Sequence, residues 1–281
     1  MSKDKKPQVS VVIPVYKRLP LAKQAVSSVL KQKGVHRKSI KIIIADDEDA
    51  GRTRQKNRIF FENLWERLVY IKNKNKEGPG GNRQSGLAKS RGKYIIFLDS
   101  DDRLRPDFVS EMLQILGEEK DKTAAICLSR SSFDPGFRLF EKLKLYQLML
   151  IRDLGLLVGF LFNKKCIYPS SFYLCQISHM MFRLDTVKDQ RFNYDYRYGG
   201  EDWDFFVQTL KRGKIRVIPK RLLLFRYSPG SSTDDPQNRI KKWKSYTLLA
   251  DRLEGEYKRG IFYKLFLKYI KIFGGKNAKK K

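Results

Sequence analysis

A chain of 281 residues can bury a large core, as one domain or as one domain with an appendage. With 41% hydrophobic residues, 18 Phe and 14 Tyr, its composition is that of a soluble globular protein. Lys plus Arg number 59 against 30 Asp plus Glu, a formal charge of +29, which calls for an anionic partner: nucleic acid, acidic membrane or a phosphorylated substrate. Cys127, Cys166 and Cys175 form no CxxC pair, which argues against a disulfide framework or zinc site and fits a reducing compartment. The apolar run 9–15 is broken by Pro14 and does not read as a signal peptide. The longest apolar block, residues 154–162, falls well short of the roughly 20 residues a bilayer span needs, so a cytoplasmic protein is expected.

In chain order, residues 9–16 read as a first strand closed by Pro14. Leu21, Ala25, Val26, Val29 and Leu30 have helical spacing in a segment, 21–33, that stops before Gly34. Residues 40–45 are a second buried strand, ending in Asp46-Asp47-Glu48-Asp49. A helix is expected over 53–64 and a strand over 68–71, after which Gly78-Pro79-Gly80-Gly81 breaks the chain before a helix at 82–90. The uninterrupted apolar run 94–98 is a strand buried on both faces. Strands alternating with helices in this way predict an α/β fold with a mostly parallel, doubly covered sheet.

Directly after the 94–98 strand come Asp99, Asp101 and Asp102, three carboxylates in four positions. Open α/β sheets bind ligands at the carboxyl ends of their strands, and close carboxylates suit a hard cation such as Mg²⁺. A strand-end turn with solvated Asp side chains is the plainer alternative.

Regularity ends after a strand at 124–128. Residues 137–162 read as an apolar helix with scattered Lys and Arg, serving either as core or as a surface that meets lipid or an apolar acceptor. Residues 177–182, carrying His179, are a strand candidate. In Gly200-Glu201-Asp202-Trp203-Asp204 the acids occupy the first turn of a helix whose apolar positions Trp203, Phe206, Val207 and Leu210 dock on the core and which Gly213 ends. They either complement the helix dipole or include a rigidly held general base. Strands at 215–218 and 222–227 precede a turn-rich stretch, 228–232. Finally, Ile261, Phe262, Leu265, Phe266, Tyr269 and Ile270 form one helical face flanked by Lys and Arg, and Lys279-Lys280-Lys281 closes the chain. This is the pattern of an interfacial helix on anionic lipid, or of a helix packed on the domain with its charged side in solvent. The expected division is a catalytic domain over 1–235 and a basic helical segment over 236–281.

Together these motifs resemble the family 2 glycosyltransferases of GT-A fold. Residues 9–16 are similar to that family's first strand, residues 42–47 to its second strand with an Asp pair, and Leu98-Asp99-Ser100-Asp101-Asp102 to its metal motif. Arg83 and Gly86 fall on its Ala-Arg-Asn-x-Gly helix, Met181-Phe182-Arg183 on its acceptor-side strand, and Gly200-Glu201-Asp202-Trp203-Asp204 on its base-bearing helix.

The resemblance implies a Rossmann-like, mostly parallel sheet and a metal-dependent, hexosyltransferase-like enzyme. Its donor would be a nucleotide-diphospho sugar, with a lean toward UDP, and its acceptor a glycan or lipid-linked hydroxyl in cell-surface polysaccharide or glycolipid synthesis. It implies that Tyr16 lies against the nucleotide base, that Asp47 hydrogen-bonds it and that Pro14 belongs to the donor site. Arg83 and Ser100 would sit near the nucleotide, and Asp99, Asp101 and Asp102 would hold the ribose and a Mg²⁺ or Mn²⁺ ion, with Asp101 and Asp102 as its ligands. His179, Glu201 and Trp203 are implied on the acceptor side, with Asp202 as the base. Arg226 is implied at the diphosphate, although Ser228 stands where the family often carries His. One base without an obvious second nucleophile implies single displacement with inversion. The enzyme would work in the cytoplasm, at the inner face of the cytoplasmic membrane if the C-terminal helix binds lipid.

Asn82, Gln84 and the acids after Asp47 depart from the family pattern, as does Asn193-Tyr194-Asp195 before the base. Two other classes compete. A nucleotidyltransferase needs a Gly-rich loop after the first strand, where this chain has Val15-Tyr16-Lys17-Arg18. A nucleic-acid-binding protein would suit the charge, but no known binding motif accompanies it. A glycosyltransferase fold that only binds is disfavoured by retention of the carboxylates.

Overall fold

The computed structural model describes residues 7–48, 51–133, 176–196, 199–227, 241, 244–249 and 251–252. Its elements in chain order are β1 (Val9–Val15), α1 (Leu19–Leu30), β2 (Ile40–Asp46), α2 (Gly51–Glu62), β3 (Leu68–Lys72), α3 (Pro79–Lys89) and β4 (Tyr94–Phe97). There follow β5 (Arg103–Leu104), α4 (Phe108–Glu118), β6 (Lys122–Phe133), β7 (Met180–Arg183), α5 (Glu201–Arg212) and β8 (Lys214–Tyr227), with short 3₁₀ and helical turns between them.

These strands form one sheet in the order β3-β2-β1-β4-β7-β6-β8-β5. β1, β2, β3 and β4 run parallel, β7 is antiparallel to both of its neighbours, β6 and β8 are parallel, and the two-residue β5 closes the edge antiparallel to β8. The sheet is therefore mixed but mostly parallel. The continuous apolar runs follow from helices on both faces. Val12, Ile43, Ile95 and Phe97 point to one face, with Leu87 of α3 and Trp203, Phe205 and Phe206 of α5. Val11, Ile13, Ile42, Ile44 and Ile96 point to the other, with Ala25 and Val26 of α1 and Phe108 and Met112 of α4. An aromatic knot fixes α5 to the sheet: Phe192 stacks on Phe205 at 4.3 Å, and Phe97 meets both edge-on at 5.3 and 5.5 Å.

The structure moves several sequence-read boundaries, each for a physical reason. α3 begins at Pro79 rather than after the Gly-Pro-Gly-Gly break. Proline needs no N–H partner at a first helical position, and Gly78 takes the positive φ of 113° that precedes it. His179 ends a 3₁₀ turn, Ile177–His179, so β7 starts at Met180, three residues later than the strand read at 177–182. The strands read at 215–218 and 222–227 are a single β8 whose register against β6 slips between Cys127 and Ser129, around Pro219, which has no N–H to give to the ladder. α4 was not read from the sequence, although Phe108, Val109, Met112 and Leu116 carry its buried stripe.

The readings at 137–162, 228–232 and 257–273, the expected boundary at residue 235, and Cys166 and Cys175 lie outside the described residues. Cys127 is buried in the core. Leu249 is buried in the core cluster with Tyr246 packed against it. Arg252 pairs with Asp204 of α5, so part of the stretch beyond residue 236 is docked on the α/β fold. Among the described residues no helix is long and apolar enough to cross a membrane.

Gly86 is where α3 approaches β1 most tightly: a Cβ there would stand 2.2 Å from Val12 Cγ1. Ala ordinarily gains up to about 1 kcal/mol over Gly inside a helix, but overpacking costs roughly 1–3 kcal/mol. Gly86→Ala is therefore expected to lower the urea midpoint of unfolding. A raised midpoint would contradict the close approach.

Candidate active site

The site is built where β1, β2 and β4 end at their carboxyl termini and where α3 and α5 begin. After β4 the backbone turns tightly, the Asp102 N–H donating to the Asp99 carbonyl at 3.0 Å. The Asp99 N–H is held by the Ser178 hydroxyl, which accepts it at 3.0 Å. Ser100 lies half-buried in the turn.

Arg83 ties the site together. Its guanidinium is buried, with 5% of the side chain exposed, and donates to Asp99 Oδ1 at 2.6 Å and to Glu201 Oε1 at 2.7 Å. One cation from α3 thus joins the turn after β4 to the first turn of α5. Both carboxylates, and Asp202 near them, hold its proton more tightly than usual despite burial. Burial, reinforced by Asp202 and opposed by Arg83, pushes the Glu201 carboxyl up to about 7, and Glu201 Oε2 has no hydrogen-bond donor among the described residues. Asp202 stands half-buried beside this pair, its Oδ1 accepting the Trp203 N–H at 2.8 Å. Gly200 precedes the helix at φ 104°, a left-handed conformation that lets α5 start abruptly and aims its first turn at the carboxylates.

Asp101 and Asp102 differ in environment. Asp101 is partly exposed and pairs with Arg18 at 3.1 Å, while Asp102 is fully buried and accepts the Arg226 backbone N–H at 3.2 Å. Burial and the neighbouring acids push both carboxyls up, Asp102 well above the usual range. The Ser178 hydroxyl also hydrogen-bonds the Asp102 carboxyl. Among the described residues no cluster of three or more His, Cys, Asp or Glu stands in a metal-holding arrangement. The chemistry of the pair nonetheless fits a hard divalent cation, which proteins commonly hold with one or two carboxylates plus substrate phosphates. The desolvation of both acids beside Asp99 is the observation that supports this.

At the other side of the site, Tyr16 follows β1 and is 54% exposed. Lys17 beside it adopts φ 58°, a conformation sparsely populated outside Gly and Asn. Pro14 is buried in β1 opposite Ala45. Both Asp47 oxygens are occupied by the chain itself, one accepting from Asn73 Nδ2 at 2.6 Å and the other from the Gly78 N–H at 2.8 Å. His179 is buried, with Nδ1 3.1 Å from the Gln176 carbonyl, and Trp203 is buried in the core cluster. The Arg226 side chain donates to Gln24.

The sequence reading missed Arg18 and Ser178, whose positions beside Asp101 and Asp99 depend on strand order. It also missed the role of Gln84, whose Oε1 accepts the Phe192 N–H at 3.0 Å.

The model of the family described as Glycosyl transferase family 2 matches residues 10–185, more than half of the chain. The chain belongs to that family. It is 32% identical over 285 residues to the GalNAc(5)-diNAcBac-PP-undecaprenol beta-1,3-glucosyltransferase of Campylobacter jejuni, covering 95% of this chain and 84% of that one. It is 25% identical over 279 residues to the UDP-Glc:alpha-D-GlcNAc-diphosphoundecaprenol beta-1,3-glucosyltransferase WfgD of Escherichia coli, covering 97% and 98%. A third relative, an uncharacterized glycosyltransferase of Rickettsia conorii, is 30% identical over 228 residues, but the chain spans only 34% of its length.

Among solved structures, the chain superimposes on S. aureus TarS 1-349 in complex with UDP-GlcNAc with a TM-score of 0.63 at 16% identity, covering 88% of this chain and 66% of that one. It superimposes on the mannosyltransferase PcManGT from Pyrobaculum calidifontis, in complex with GDP-Man and Mn²⁺, with a TM-score of 0.64 at 13% identity, covering 97% and 72%. The fold is GT-A, and the family and fold expected from the sequence motifs are borne out.

Proposed function

We infer that this family 2 glycosyltransferase moves a sugar from a nucleotide-diphosphate donor, with UDP the favoured nucleotide, to a hydroxyl of a lipid-linked or polysaccharide acceptor, with inversion at the sugar carbon. The observation that carries the reading is the Arg83 bridge, which fixes the carboxylates after β4 against the helix start that bears Asp202. The two diphosphoundecaprenol glucosyltransferases favour a lipid-linked acceptor in cell-surface glycan synthesis.

In this reading Tyr16 packs on the nucleotide base, with Pro14 and Asp47 shaping the wall behind it. Ser100 and Asp99 face the ribose and sugar, and Arg18 and Arg226 stand beside the acids to balance charge at the diphosphate. Asp101 and Asp102 would hold Mg²⁺ or Mn²⁺, which when bound offsets the charge that develops on the departing diphosphate. Asp202 takes the proton of the acceptor hydroxyl as its oxygen attacks the anomeric carbon. Glu201, His179 and Trp203 are buried and act behind the acceptor by positioning Asp202.

The test is a sugar-nucleotide screen with Mg²⁺ or Mn²⁺ and a lipid-diphosphate acceptor, reading released nucleotide and the anomeric configuration of the product by NMR. A retained configuration would overturn the single displacement. Asp101→Asn is expected to weaken metal-dependent donor binding at least about tenfold, by loss of one charged ligand, while the fold survives. Unchanged affinity in the presence of metal would remove Asp101 from the site.

The C-terminal pattern of apolar and basic residues supports attachment to the inner face of the cytoplasmic membrane, each basic residue near anionic headgroups contributing roughly 1 kcal/mol. Full-length protein should sediment with anionic vesicles and much less with neutral ones, and a chain ending near Gly255 should stay in solution. Equal sedimentation of both chains with anionic vesicles would exclude the anchor.

A further inference from the structure

A second charged concavity lies at the opposite end of the sheet. A groove of about 1190 Å³ opens at the amino ends of the parallel strands, roofed by the last turn of α3. Lys41, Arg67, Arg91, Lys93 and Lys188 line it, against two acids, Glu66 and Asp185. Glu66 is already engaged by Lys38 at 3.5 Å. The floor is apolar, made of Val69, Leu87 and Leu184. Lys41 and Arg67 are half-buried on this floor, and Arg91, Lys93 and Lys188 are exposed around it.

A helix C-terminus explains part of this charge, since the Lys41 ammonium donates to the Lys89 carbonyl at 3.4 Å and Arg91 to the Ser90 carbonyl at 2.8 Å. It does not explain five cations. Burial, then Arg91 and Lys89, lower the proton affinity of Lys41, so Lys41 is repelled by the cations beside it. A multivalent anion would relieve that repulsion, and convergent ammonium and guanidinium groups are what phosphate oxygens accept from.

We propose that this groove is a binding site for a soluble, multiply phosphorylated molecule, separate from the donor site at the carboxyl ends of the strands. The groove is larger than one phosphate requires, and its cations run from Lys41 in β2 and Arg67, Arg91 and Lys93 just before β3 and β4 to Lys188 after the short helix that follows β7, so the ligand carries several phosphates. Binding of this kind weakens with salt as screening grows.

Isothermal titration of the full-length protein with inorganic tripolyphosphate tests the proposal, at low salt and with a chelator present so that the carboxylate site recruits no metal. Saturable binding is expected, weakened at least about tenfold by Lys41→Gln with Lys93→Gln. Lys31→Gln with Lys33→Gln, exposed lysines just beyond α1 on the other face of the sheet, should leave it unchanged. Lys93→Gln alone removes only an exposed side chain, so it carries the test if the double variant melts early. Absence of saturable binding, or equal loss in both lysine pairs, would overturn the site in favour of diffuse surface charge. So would sedimentation with phosphatidylglycerol vesicles that depends on Lys41 and Lys93 while tripolyphosphate stays unbound, because the groove would then be a membrane contact.

Discussion

Asp202→Asn should leave donor binding intact and slow sugar transfer by a factor on the order of 10²–10⁴, the usual contribution of a positioned general base. The substitution keeps the side chain's shape and its acceptor oxygen for the Trp203 N–H, 2.8 Å away in the structure. The start of α5 should therefore not move. Its neighbours cannot replace it: Glu201 is buried and held by Arg83, and Asp204 is buried against Gln208 and Arg252. Single-turnover transfer measured beside donor affinity separates the two effects. Transfer at the wild-type rate would assign the base to another residue, and lost donor affinity would mean that the carboxylate serves the donor site instead.

Arg83→Met should be the most damaging substitution to the fold. It keeps an apolar stem in the buried channel but leaves Asp99 and Glu201 without their shared cation. Removing one partner of a buried ion pair costs about 3–5 kcal/mol, a large part of the stability of an ordinary domain. Glu201 softens the loss by taking up a proton. Its carboxyl already titrates at about 7 with Arg83 present, so without Arg83 it titrates higher. Both folded states keep this proton above the ordinary carboxylate range, where the unfolded chains have lost it. Above about pH 7 only the variant still holds it, so the variant's stability goes on falling with pH where the wild type's has levelled off. The deficit relative to wild type should therefore be wider at pH 8.5 than at pH 6.5 in urea unfolding. Glu201→Gln placed on Arg83→Met should recover part of it and flatten the pH dependence. A pH-independent deficit, or no recovery, would mean that Arg83 matters by packing against Phe192, 6.0 Å from its guanidinium, rather than by charge.

Local patterns carried a large part of the fold. Runs such as residues 40–45 and 94–98 are apolar on both faces because helices cover both sides of the sheet, and that requirement is written into consecutive residues. The same holds for the acids at the ends of β2 and β4 and at the start of α5, and for the glycine–proline punctuation around them. These features determined the α/β class, the family and the residues of the carboxylate cluster.

What the sequence could not decide was which of those residues meet. Arg83 and Glu201 are 118 positions apart, and only the order of strands around β4 brings α3 and α5 onto the same carboxylates. Arg18 reaches Asp101 across 83 positions for the same reason. Depth, too, is a tertiary property. Glu201 and Trp203 are buried because α5 is pinned to the sheet by Phe192 and Phe205, and His179 is buried in the 3₁₀ turn that leads into β7. The basic groove at the far end of the sheet left no motif at all. Its lysines and arginines are scattered between residues 41 and 188; parallel pairing draws the starts of β2, β3 and β4 into one surface, and antiparallel β7 brings Lys188 to the same end.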